Sequence, residues 1–89
     1  MANDFWGANV EELNALGVDL TNKASDIRGI LSQLNGKLGN TRWEGPDADR
    51  FRTEWSSQHV PALNKVISAL DTAGGDAKKN ADAQRTTSL

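Results

Sequence analysis

An all-α chain is expected, a pair of long antiparallel helices that doubles into a four-helix bundle. Three observations predict it: a sustained three-and-four spacing of apolar residues in the first half, a Gly/Asn/Pro-rich break near the middle, and no cysteine to staple a thinner fold. The chain has 89 residues, one domain at most, with 37% hydrophobic and 25% charged residues. A mean hydropathy of −0.58 is wet for a self-sufficient globule of this size. Yet the patterning is too regular for a disordered chain. Association with a second chain is the remaining route to a sufficient core.

The first helix is expected from about residue 8 to 38. Val10, Leu13, Gly17, Leu20, Ala24, Ile27, Leu31, Leu34 and Leu38 form its seam. Leu16 and Ile30 widen that seam on one side, so the face can serve two neighbours. Glu11, Glu12, Asn22, Lys23, Asp26, Arg28 and Lys37 make a solvated surface. Asn9 followed by Glu12 matches a capping box, and Asn3 or Asp4 offers an earlier start that would include Phe5 and Trp6. Gly36, Gly39 and Asn40, which tolerate a left-handed cap, mark the end. A turn follows over about 39–45, in which Thr41 and Glu44 repeat the capping-box pattern without starting a long helix.

Gly45 at the N-cap, Pro46 at the first helical position, and Asp47 and Asp49 in the first turn predict a second helix over about 46–82. Its apolar stripe reads Ala48, Phe51, Trp55, Ala62, Val66, Ala69 and Ala73, with Leu63, Ile67 and Leu70 alongside. Pro61 cannot donate to the Ser57 carbonyl and predicts a kink there. Gly74 and Gly75 predict fraying, and a flexible tail is expected over about 83–89. Helices of about 45 Å each, joined by a short turn, must lie antiparallel. A lone hairpin leaves the outer part of both apolar faces wet, and two side by side bury them. Leu13, Leu20, Ile27, Leu31, Leu34, Phe51, Trp55 and Val66 are the expected hairpin and dimer interface. Their pattern is compatible with a homodimer or a heterodimer.

Several function classes find no support. Net charge is −2 with both signs mixed along the chain, unlike a nucleic-acid-binding face or a polybasic anchor. No window approaches the ~20 apolar residues of a transmembrane helix. The N-terminal MANDFWGANVEEL lacks the basic and apolar regions of a secretory leader. His59 is the only histidine, beside Pro61, with no spaced ligand partners, so no metal site is expected. Asp47 and Asp49 read as first-turn charges rather than an acid–base pair. No catalytic residue and no cofactor are expected. Phe5, Trp6 and Gly7 either pack near the open end of the hairpin or form a contact for another protein or lipid.

Trp43 is the anomaly, a large apolar side chain placed in a turn. It either plugs the end of its own hairpin or fills a pocket completed by a partner's helices. Trp43-Glu44-Gly45 at the bend, followed by Ala48 and Phe51 in a Cys-free hairpin, resembles the WXG-motif family across nearly the whole chain. These are the early-secreted-antigen-like substrates of type VII (ESX) secretion. The resemblance implies small non-enzymatic proteins that pair with themselves or a sibling WXG-type protein and are exported folded without a cleaved signal peptide. It carries Trp43 and Gly45 over as the turn motif. It also implies a secretion ATPase or a toxin's helical leader domain as further partners, and a cytoplasmic pool before export. The chain departs from the family at the export signal, a tyrosine followed three residues later by an acid. It has no tyrosine, and Lys78 and Asp82 stand as a degenerate form of that signal. Either the partner carries the signal, or the chain is not itself engaged by the secretion ATPase. The missing tyrosine supports, and the Trp43-Gly45 bend opposes, a rival reading: a cytosolic helical adaptor that holds a sibling or toxin leader domain and is not itself exported.

Overall fold

A computed structural model describes residues 9–87 of the chain. Helix α1 spans Val10–Asn40, α2 spans Pro46–Glu54, and α3 spans Val60–Thr87. A single π-helical turn, Trp55–His59, joins α2 to α3, so the two form one continuous arm. That arm packs antiparallel along α1 as a rod of 64 × 18 × 16 Å. The helical hairpin is therefore as expected. The region of Phe5, Trp6 and Gly7, with the alternative caps Asn3 and Asp4, lies outside the described residues.

Helix α1 starts as its sequence dictates. Asn9 is extended, and its side chain accepts a hydrogen bond from the Glu12 N–H at 3.0 Å. Its other end departs from expectation. Neither Gly36, Gly39 nor Asn40 is left-handed, and Gly45 is the one positive-φ residue among those described. The helix runs through Asn40 and leaves by way of an extended Thr41, whose hydroxyl donates back to the Lys37 carbonyl at 2.6 Å. A side-chain donor thus replaces the left-handed cap.

The contact line of α1 is narrow: Gly17, Ala24 and Leu31 are buried. Beside half-buried Asp71, Gly75, Lys78 and Gln84, the inward positions of the second arm are Ala48, Arg52, Trp55, Val60, Leu63, Ile67, Leu70, Gly74, Ala77 and Ala81. They keep the three-and-four rhythm except at one step, Trp55 to Val60, which is longer by one residue. That step is the π-turn, where the Val60 N–H bonds the Trp55 carbonyl. Pro61 produces a wide turn because it has no N–H to offer the preceding turn. The extra residue shifts the phase of everything after it. Ala62, Val66, Ala69 and Ala73, expected on the stripe, are exposed, and Leu63, Ile67, Leu70 and Gly74 face α1 instead.

The glycines correct a second expectation, since α3 continues to Thr87 without fraying at Gly74 and Gly75. Gly74 lies directly against Gly17. A Cβ built on either would sit 2.8 Å from the other's carbonyl oxygen. The backbones touch here, and burial offsets the helix-propensity cost of glycine.

Candidate functional site: the bend and the open apolar face

The bend is held by Arg52, a residue that the seam pattern alone does not single out. Its guanidinium donates to the carbonyls of Trp43 at 2.6 Å, Thr41 at 3.1 Å and Leu38 at 3.4 Å. It also lies 6.0 Å over the Trp43 ring. One side chain thus satisfies carbonyls left over where α1 ends and the chain turns. The cue was its place one turn before Trp55 on the inward side of α2. Arg52→Ala is expected to lower stability by about 1–2 kcal/mol, because the three carbonyls can recover only water. Urea denaturation against Arg50→Ala, whose partner is the exposed Asp47, measures it.

Gly45 has φ +117° and ψ 175°, a conformation open in practice to glycine alone. A Cβ there would meet nothing within 4 Å, so the requirement is conformational and not steric. Trp43 does not plug the hairpin. It is 42% exposed and leans on Phe51, with ring centroids 5.5 Å apart. Phe51 stacks on Trp55 at 6.4 Å, and Trp55 touches His59 at 6.1 Å. The four rings form a ladder along one side of the second arm from the bend to the π-turn. Trp55 anchors it to α1 by donating from Nε1 to the Asn35 Oδ1 at 2.7 Å. It also packs against the core of Ala24, Leu31 and Ile67.

The two flanks of the hairpin differ. Four positions after each buried residue of α1 come Thr21, Arg28 and Asn35, and four after Ile67 comes Asp71. Arg28 and Asp71 form an ion pair across the hairpin, so these polar flanks share one side. By helical geometry, the positions on the other flank of each helix share the opposite side. On α1 these are Leu13, Leu16, Leu20, Ile27, Ile30 and Leu34, with the exposed Lys23 midway between Leu16 and Ile30; on α3 they include Leu63, Val66, Leu70 and Ala73. Leu16 is 50% exposed, Ile30 55%, Leu34 43% and Val66 47%. Of the expected interface, Leu31 is thus inside the hairpin. Leu13, Leu20, Ile27 and Trp55 are half-buried, and Leu34, Phe51 and Val66 are open.

Lys78 and Asp82 do not form a unit. The stem of Lys78 lies over Gly17, and Asp82 pairs with Arg85 at 3.6 Å. Among the described residues no group of three or more His, Asp or Glu side chains is placed to hold a metal ion. No described helix is long and apolar enough to cross a membrane. Comparison with protein-family profiles, with characterised proteins and with solved structures finds no match to the chain.

Proposed function

We propose that this chain is a WXG-type recognition protein of type VII secretion, which pairs through its open apolar face and presents its bend for export. It acts through protein–protein contact and not catalysis. The observation that carries the reading is the pairing of two features on one hairpin. One is a glycine-only Trp43-Glu44-Gly45 bend, with its indole held at the surface by Phe51 and Arg52. The other is a largely apolar face, interrupted by Lys23, that the chain does not cover by itself.

Area supports the pairing half of the proposal. The chain exposes 6656 Å², whereas a compact monomer of 9.6 kDa exposes about 5,100 Å². The excess exceeds the ~800 Å² that each partner contributes to a standard interface. A four-helix bundle with a second hairpin removes that apolar surface from water. The partner is another copy or a sibling WXG-type chain. The secretion ATPase or a toxin leader domain is met afterwards.

The experiment compares culture supernatants of two hosts expressing the chain, one with an intact type VII apparatus and one lacking its ATPase. Secretion only from the first is expected, and Trp43→Ala should abolish it while the hairpin stays helical by circular dichroism. The second reading, a cytosolic adaptor, draws on the engagement of Lys78 and Asp82 within the hairpin and on the missing tyrosine. Retention of the chain in both hosts, with a co-purifying helical partner, would establish the adaptor and overturn export.

A further inference from the structure

We propose that Asn35-Gly36 is a self-modification site, shut by the folded hairpin, whose one-way conversion unlatches the aromatic ladder. Of the asparagines, Asn35 alone is followed by glycine. Glycine puts no side chain beside its nitrogen, and a Cβ at Gly36 would meet nothing within 4 Å. The Gly36 nitrogen can therefore attack the Asn35 side-chain carbonyl carbon whenever the backbone conformation allows it. The bond from that carbon to the amide nitrogen breaks, and ammonia leaves with the Gly36 N–H proton. A succinimide ring remains, and water, the one co-reactant, opens it. Asn35 is exposed, so water reaches the ring. Attack on the side-chain carbonyl gives aspartate. Attack on the main-chain carbonyl gives isoaspartate, with the chain rerouted through the side chain. No electrons are exchanged, and the loss of ammonia makes the change one-way.

Folding decides when this happens. Both residues lie within α1. Helical ψ at Asn35 keeps the Gly36 nitrogen away from the side-chain carbonyl and commits its N–H to the carbonyl of Ser32. The Asn35 Oδ1 is also held by the Trp55 Nε1 at 2.7 Å. Yet α1 is intrinsically weak here, since Gly36, Gly39 and Asn40 are poor helix formers. The end stays wound because Thr41 donates to the Lys37 carbonyl and Arg52 to the Leu38 carbonyl. The second arm thus guards the site, and Arg52 and Trp55 must let go before the ring can close. Isoaspartate adds a carbon to the main chain and shortens the side chain. It withdraws the acceptor from Trp55 and displaces the Leu38 carbonyl from Arg52. None of this depends on export.

The chain is incubated at neutral pH, folded or in urea, and conversion of the tryptic peptide 29–37 is followed by mass spectrometry. Conversion at Asn35 is expected to be at least about tenfold slower folded than unfolded. Gly36→Ala should suppress it in both. Arg52→Ala or Trp55→Phe should speed the folded reaction several-fold without changing the rate in urea. Gly74→Ala, which loosens the far end of the hairpin, should speed it far less. Equal rates folded and unfolded overturn the gate, and equal acceleration by Gly74→Ala overturns the latch at the bend. The isoaspartyl chain, separated by ion exchange, should show red-shifted tryptophan emission beside Asn35→Asp, which keeps an acceptor for Trp55. Identical emission from the two overturns the unlatching.

Discussion

Gly74→Ala is expected to lower the stability of the hairpin by about 2–3 kcal/mol, although alanine is the better helix former by about 1 kcal/mol. The added Cβ would lie 2.6 Å from the Thr21 Cγ2 and 2.8 Å from the Gly17 carbonyl oxygen. The second of those neighbours is backbone, so relief requires the two helices to move apart. Separation there loosens Ala77 and Ala81 as well, both of which are buried beyond the same crossing. Gly17→Ala should behave alike, since its Cβ would meet the Gly74 carbonyl oxygen at 2.8 Å. Gly29→Ala, Gly36→Ala and Gly75→Ala meet nothing within 4 Å and should instead stabilise by about 0.5–1 kcal/mol. Urea melts of the five variants test this in one series. A Gly74→Ala chain as stable as the parent would mean the helices do not touch at that point.

That opposition between chemically identical substitutions shows where sequence reading stops. The rhythm of α1, its Asn9 cap and the Gly45-Pro46 start of the second arm are local properties, written in consecutive residues. They were legible for that reason. Gly74 and Gly75 look the same in sequence, and propensity treats both as helix breakers. Only the partner helix distinguishes the one that is buried from its neighbour. Arg52 was obscure on similar grounds, because its three acceptors are backbone carbonyls carrying no sequence signature. At the bend, Gly45 was legible as an N-cap, but the lean of Trp43 onto Phe51 depends on the turn's path. The missing left-handed cap at Asn40 follows from the same Arg52 and Thr41 donors, which remove the need for one.

The phase error beyond Pro61 has a different origin and leads to the other large effect. A three-and-four pattern can be carried through a chain only if every turn holds the same number of residues. The π-turn at Trp55–His59 holds one more, so the stripe that begins at Ala48 and Trp55 continues on Leu63 and Ile67 rather than Ala62 and Val66. If that residue is an insertion absorbed locally, removing it should leave the packing on both sides in phase. Deleting Gln58 together with Pro61→Ala, which restores the missing donor, is expected to change stability by no more than about 1 kcal/mol. The arm then becomes α-helical throughout.

Deleting Ser68, equally exposed but inside α3, should behave in the opposite way. Every later residue turns by about 100° relative to α1. Gly75 would move into the place of Gly74 and fit, but Asp71, Lys78 and Asp82 would take the places of Leu70, Ala77 and Ala81. Charges forced into the seam cost several kcal/mol, and the lost Leu70 contact adds about 2 kcal/mol more. The arm beyond Ile67 should therefore detach, with a loss of about 4 kcal/mol or more and a fall in helicity by circular dichroism. Equal damage from the two deletions would show that the π-turn is a required bend in the arm and not an absorbed residue. A mild Gln58 deletion beside a ruinous Ser68 deletion would establish that the open face keeps its line only because the wide turn takes up the extra residue.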